Sequence, residues 1–168
     1  MPTRRNRRFV IIASEFNPAI TRALVRGASS ALRRHGVPAR CIRLLWVPGA
    51  FELPVVAARL AASRPRPEAI IAVGAILRGE TSQYEVLAHA VAQGLSQVAV
   101  SSRIPVTFGV VVASTVAQAK ARARLPLGKR GGQARLPVGH RGGQAGGSTV
   151  NRGAEAALAA LAVLRLFR

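Results

Sequence analysis

Side chains able to bind a small molecule cluster in three short stretches, each directly after an apolar run. These stretches are EFN (15–17), PGAFE (48–52) and RGETSQ (78–83). The rings of Phe16 and Phe51 suit stacking on a flat heterocycle, although a single phenylalanine more often plugs a core. The Glu52 carboxylate suits hydroxyl groups, although it would also complement the dipole at a helix start. The three stretches are therefore candidate ligand contacts.

The third stretch has the composition of a phosphate site. Gly79, Thr81 and Ser82 open a predicted helix, where free backbone N–H groups and hydroxyls can hold an anion. The simpler interpretation is an ordinary N-cap by one of the two hydroxyls. Glu80 opposes an anion unless a cation lies nearby. Arg122 is a candidate for that cation, because a guanidinium can bind phosphate through two hydrogen bonds.

Several established catalytic sets are excluded by the residue types. There is no Walker loop and no G-x-G-x-x-G after the first run, and a Ser-His-Asp set is impossible without aspartate. The absence of aspartate also disfavours a Mg²⁺ or Ca²⁺ site, and the single Cys41 cannot form a thiolate cluster. We predict no metal, and we expect His35, His89 and His140 to be surface or helix residues.

Strand and helix patterns alternate along the whole chain. Apolar runs rich in β-branched residues predict strands over 8–14, 40–47, 69–77 and 105–113. Helical patterns cover 18 to about 35, 53 to about 63, 82 to about 97, 115–122 and 152–167. Asn17 is predicted as the first N-cap and Gly36 as the residue that ends that helix. Such alternation predicts an α/β fold with a parallel sheet between helices, whose ligand crevice lies at the carboxyl ends of the strands.

The charge of the chain is strongly positive. Its 25 basic residues face only six acidic ones, for a formal net charge of +19. Such a field attracts polyanions, but the arginines are spread along the chain and stacking aromatics are few. We therefore interpret the charge as compositional drift and do not expect nucleic acid as a partner.

The amino terminus does not have the pattern of a signal peptide. Its apolar segment, Phe9 to Ala13, is shorter than the ~7–15 residues of a signal core, and Glu15 follows soon after. Apolar runs elsewhere are too short to span a membrane. We predict a cytoplasmic protein with a basic tail over 1–8 and one domain over 9–168.

An eleven-residue word occurs twice in tandem over 123–144. The copies, ARLPLGKRGGQ and ARLPVGHRGGQ, differ at two positions. Removing both joins Arg122 to Ala145 and leaves a continuous pattern. We interpret the duplicate as an inserted, mobile surface loop rather than a binding motif.

Taken together, the loop motifs resemble the lumazine synthase family. The residues that carry the resemblance are FN, VPGAFELP, GAILRGETSQYE, PVTFGVV and NRGAEAALAAL. The resemblance covers the chain from Phe9 onward apart from the repeat. It implies a three-layer flavodoxin-like sandwich with a four-stranded parallel sheet and helices on both faces.

The resemblance also implies an activity and a site. The family joins 5-amino-6-(D-ribitylamino)uracil to 3,4-dihydroxy-2-butanone 4-phosphate in riboflavin biosynthesis, with no cofactor. The substrate-binding residues implied are Phe16, Ala50, Phe51, Glu52, Ala75, Ile76, Leu77 and Phe108. Glu80, Thr81 and Arg122 are implied to bind the phosphate.

One position departs from the family motif. Gln83 stands where the family has a histidine that moves protons, and an amide cannot exchange a proton near neutral pH. His89 lies about 600° further around the helix and does not obviously replace it. We predict a lumazine synthase with a weakened proton-transfer step.

Two other function classes remain open. A non-catalytic relative would bind a ribityl or flavin ligand, or serve as an assembly scaffold, without turnover. A basic nucleic-acid-binding assembly would bind random-sequence nucleic acid in a salt-sensitive way. The family implies a homopentamer or a 60-subunit shell of pentamers, and the sequence leaves that choice open.

Overall fold

The computed structural model describes residues 8–124 and 151–167. The predicted basic tail, apart from Arg8, and the repeat, apart from Ala123 and Arg124, lie outside the described residues. All structural statements below concern the two described ranges.

Four strands and five α-helices follow one another in the predicted alternation. The strands are β1 (Phe9–Ser14), β2 (Ile42–Val47), β3 (Ala69–Leu77) and β4 (Val106–Ala113). The helices are α1 (Pro18–Arg34), α2 (Leu53–Ala62), α3 (Gln83–Ser102), α4 (Val116–Ala123) and α5 (Arg152–Leu166). Gly36 has a positive φ of 84° just beyond α1, so its predicted role in ending that helix is confirmed.

The strands form one sheet in the order β2-β1-β3-β4, and every pairing is parallel. All six residues of β1 are buried, because this strand lies between β2 and β3 with a helix layer on each face. The sheet therefore brings the loops after β1, β2 and β3 to one edge.

Alternate residues of the central strands supply two separate cores. Phe9 and Ile11 pack with residues of α1, α4 and α5, whereas Val10 and Ile12 pack with residues of α2 and α3. This alternation follows from the two-residue period of a strand. The prediction of a four-stranded parallel sheet with helices on both faces is confirmed.

Helix α3 is longer than the sequence pattern predicts. It continues past Gln97 to Ser102 and ends at Arg103, which adopts a left-handed conformation with a φ of 58°. Val98 packs against the core that α2 and α3 share. This packing stabilises the last part of the helix although it contains small polar residues.

Candidate active site

A cleft of about 470 Å³ lies at the carboxyl ends of β1, β2 and β3. This volume is within the ~300–1,000 Å³ range of small-molecule sites. It is lined by Phe16, Asn17, Gly49, Ala50, Phe51, Glu52, Ala75, Ile76, Leu77, Gly79, Thr81, Gln83, Tyr84 and Leu87. The three stretches selected in the sequence therefore meet at one place.

The loop after β1 is held by three hydrogen bonds. The Glu15 amide donates to the Val47 carbonyl at 2.8 Å, and the buried Thr21 hydroxyl donates to the Phe16 carbonyl at 3.0 Å. Asn17 Nδ2 donates to the Ala75 carbonyl at 3.3 Å. These bonds fix the backbone of Phe16, whose ring is 71 % exposed at the rim of the cleft.

Asn17 is not the side-chain cap that the sequence predicts. It occupies the N-cap position of α1, but it has a left-handed φ of 53° and makes no side-chain bond to the first turn. Its amide instead reaches β3, so Asn17 joins the first loop to the middle of the sheet. Asparagine tolerates this backbone conformation better than most residues.

The loop after β2 forms a short 3₁₀ helix over Ala50–Glu52 that leads into α2. Phe51 is 64 % exposed, and a Cβ on Gly49 would lie 2.9 Å from Glu52 Oε2. The carboxylate therefore lies over the Gly49 backbone. Glu52 makes no side-chain bond to the first turn of α2, so its oxygens are free of that capping role.

The loop after β3 supplies Gly79, Thr81 and Gln83 to the cleft. Ser82 is at the N-cap position of α3 but makes no side-chain bond to the first turn, so the simple capping interpretation of this residue is wrong. The first-turn N–H groups of α3 therefore lack a hydroxyl cap from Ser82. A helix start of this kind suits an anion.

Tyr84 is a lining residue that the sequence reasoning missed. Its hydroxyl donates to Glu85 Oε1 at 2.8 Å, and this hydrogen bond raises the pKa of Tyr84 above its usual value. Among the described lining residues, only Glu52 and Tyr84 are ionisable. The signal was its place next to Gln83, as the one tyrosine in the sequence.

Three predicted site residues do not line this cleft. Phe108 lies in the middle of β4, opposite Ala72, whereas the cleft begins three residues further along β3. At ~3.3 Å per residue this separation is about 10 Å. Arg122 is exposed near the end of α4, and Glu80 is exposed in the loop after β3. Their binding roles stay predictions.

His89 is exposed on α3, with Nδ1 2.9 Å from the Glu85 carbonyl oxygen, and does not line the cleft.

No group of three or more His, Cys, Asp or Glu within 8–124 and 151–167 is placed to hold a metal ion. Across the same ranges, none of the helices combines the length and apolarity of a bilayer-crossing segment.

A ligand-sized cleft at the carboxyl edge of a parallel sheet is typical of α/β proteins that act on small molecules. The chain belongs to the 6,7-dimethyl-8-ribityllumazine synthase family, whose sequence model matches residues 6–168.

Two curated relatives carry the name 6,7-dimethyl-8-ribityllumazine synthase. The protein from Gemmatimonas aurantiaca is 42% identical over 166 residues, covering 99% of this chain and 87% of the relative. The protein from Leuconostoc mesenteroides is 37% identical over 128 residues, covering 76% of this chain and 81% of the relative. The fold is consistent with the flavodoxin-like fold of this family.

Proposed function

We propose that this chain condenses 5-amino-6-(D-ribitylamino)uracil with 3,4-dihydroxy-2-butanone 4-phosphate to form 6,7-dimethyl-8-ribityllumazine in riboflavin biosynthesis. The observation that carries the proposal is the cleft formed jointly by the loops after β1, β2 and β3. It is lined by Phe16, Phe51, Glu52, Ala75 to Leu77 and Thr81, which the family motifs assign to substrate binding.

The first substrate fits the aromatic and acidic side of the cleft. The exposed rings of Phe16 and Phe51 offer faces to the pyrimidine, and such stacking adds roughly 0.5–1.5 kcal/mol beyond burial. The carboxylate of Glu52 makes no cap bond and can accept hydrogen bonds from the ribityl hydroxyls. Together these groups orient the amine that attacks the second substrate.

The phosphate of the second substrate fits the start of α3. Thr81 lines the cleft there, and the first turn of the helix lacks a side-chain cap from Ser82. The exposed Arg122 guanidinium is the proposed cation for this phosphate, and Glu80 flanks the same loop. Holding the amine against the carbonyl in this way lowers the barrier by several kcal/mol through positioning.

Gln83 is the proposed weak point of the reaction. Its amide lines the cleft and can donate or accept hydrogen bonds, but it cannot carry a proton between substrate and solvent. General acid–base help is typically worth ~10²–10⁴-fold, so turnover is expected to be slower than with histidine at this position.

The site is proposed to be completed by a second copy of the chain in a homopentamer, with a 60-subunit shell as a further level of assembly. Phe108 and Arg122 lie outside the cleft of their own chain, which fits contributions to a neighbour's cleft. Apolar side chains are exposed on the edge strand β4 and on α3, including Phe108, Val112 and Val86. We place this assembly in the cytoplasm.

A ligand-binding relative without turnover is the second candidate, and the observation that favours it is Gln83 in the cleft. Tight binding of the ribitylaminouracil or a flavin, with no product, would support it.

The test is to mix the purified protein with both substrates and to follow lumazine formation by absorbance. A rate proportional to protein concentration and above the spontaneous reaction supports the enzyme. The matched controls are Phe51→Ala, which should raise the KM for the pyrimidine, and Arg122→Ala, which should raise the KM for the butanone phosphate.

A further inference from the structure

The side chain of Asn151 joins three helices. It is fully buried, and its Nδ2 donates to the carbonyl oxygens of Ala23 in α1 at 3.1 Å and of Ala123 in α4 at 2.6 Å. Its Oδ1 accepts from the Ala154 amide in α5 at 3.1 Å. Both amide hydrogens and the carbonyl oxygen are therefore in use.

The surrounding backbone leaves room for this amide. A Cβ added at Gly27 would overlap Asn151 Oδ1, and a Cβ added at Gly153 would overlap the Leu24 carbonyl oxygen. Helices α1 and α5 thus approach each other through glycines, with the asparagine side chain between them. We call the buried contact of Asn151 with Ala23, Ala123 and Ala154 the joint at Asn151.

Helix capping explains only part of this arrangement. The bond from the Ala154 amide to Oδ1 caps α5, and aspartate would make it equally well. The bonds from Nδ2 to the two carbonyl oxygens need N–H donors, which aspartate lacks. The amide of Asn151 therefore serves α1 and α4 in addition to its own helix.

Helix α4 has a side-chain hydrogen bond at each end, and each bond fixes the end at which it lies. It has eight residues, too few to be stable alone. At its start, Thr115 Oγ1 accepts from the Gln118 amide at 3.2 Å. At its end, the carbonyl of Ala123, the residue after Arg122, is held by Asn151. The Asn151 bond is thus the anchor adjacent to Arg122.

We propose that Asn151 is a positioning residue for Arg122, the cation assigned above to the substrate phosphate. The bond from Asn151 to Ala123 also joins the two ends of segment 124–150, so the end of α4 is fixed independently of that segment's length. The inference rests on the proposed function, because it gives Arg122 its role.

The first test is the Asn151→Asp variant, which keeps the side-chain size and the cap but removes both donors. The KM for the butanone phosphate should rise about tenfold. The KM for the ribitylaminouracil and the kcat at saturation should change less than twofold, because Arg122 is displaced while the aromatic side of the cleft is intact.

A double-mutant cycle separates positioning from general destabilisation. In an Arg122→Ala background, Asn151→Asp should have no further effect on the KM for the butanone phosphate, because the guanidinium that Asn151 positions is absent. The matched control is Thr115→Val, which removes the anchor at the other end of α4 and should leave that KM unchanged.

Three results would overturn the inference: an unchanged KM in folded Asn151→Asp, an equal rise with and without Arg122, or an equal rise in Thr115→Val. If Asn151→Asp does not fold, Asn151→Ser, which still caps α5 through its hydroxyl, replaces it with the same expectation. Amide hydrogen exchange at the last turn of α4 tests the inference without a measurement of enzymatic turnover. Exchange of these amide hydrogens should be faster in the variant even if the wild-type chain makes no lumazine. Unchanged exchange would show that the hydrogen bond from Asn151 to Ala123 does not hold the end of α4.

Discussion

Gln83 is the residue on which we propose that the chemistry of this site depends. Its amide, which is not ionisable, lies in the cleft where the family motif has a proton carrier, and the ionisable groups among the described lining residues are Glu52 and Tyr84. The hydrogen bond to Glu85 raises the pKa of Tyr84 above its usual value, so its phenol stays protonated near neutral pH, and none of the described lining residues is a histidine. The site is therefore expected to act mainly by positioning its substrates.

Replacing Gln83 by histidine should raise kcat about tenfold to a hundredfold at pH 7, because imidazole can exchange protons there. The variant should also acquire a pH dependence with an apparent pKa near 6.5 that the wild type lacks. Steady-state rates between pH 5.5 and 8.5 check both effects. The matched control is His89→Gln, which should leave the rate unchanged, and an equally slow Gln83→His would remove Gln83 as the cause.

Tyr84 offers a direct check on the geometry beside Gln83. The hydrogen bond to Glu85 is the main cause of its raised pKa, so Glu85→Gln should move the pKa of Tyr84 down towards about 10. Because the chain has one tyrosine, ultraviolet absorbance during a pH titration reports this residue alone. An identical titration in the variant would mean that the pair does not form in solution.

At the scale of elements, the loops that end at the sheet edge were predictable and their anchors were not. Apolar runs and glycines give the strands and place three loops together, because parallel strands share one carboxyl edge. The bond from Asn17 to β3 was not predictable, since an asparagine before a proline reads as an N-cap. The joint at Asn151 was missed for a similar reason, because two of its partners lie 28 and 128 residues away.

The close approach of α1 and α5 predicts that Gly27→Ala is destabilising. Alanine gains about 1 kcal/mol of helix propensity, but its Cβ would overlap Asn151, and overpacking costs roughly 1–3 kcal/mol or more. The free energy of unfolding in urea should fall by about 1–2 kcal/mol.

The control for this substitution is Gly79→Ala. A Cβ there would meet nothing within 4 Å, so the free energy of unfolding should change by less than about 0.5 kcal/mol. Gly27→Ala with wild-type stability would show that the joint is looser than described.

For the whole molecule, the repeat is expected to be dispensable. Deleting 123–144 puts Ala145 in the place of Ala123, so a backbone carbonyl is still present for Asn151. The connection between these two residues shortens from 27 residues to 5. Loop-closure entropy then favours folding by about 1.5 kcal/mol. Thermal unfolding and light scattering check that the variant folds and assembles like the wild type. Loss of folding would show that the repeat is not dispensable.

The proposed lumazine synthase activity is tested most directly by the initial rate of lumazine formation at pH 7 with both substrates and the wild-type chain. If the chain is a lumazine synthase, the rate is proportional to protein concentration, lies above the spontaneous background, is accompanied by phosphate release, and increases further in Gln83→His. A wild-type chain that binds the ribitylaminouracil but forms lumazine only at the background rate would contradict the proposed activity.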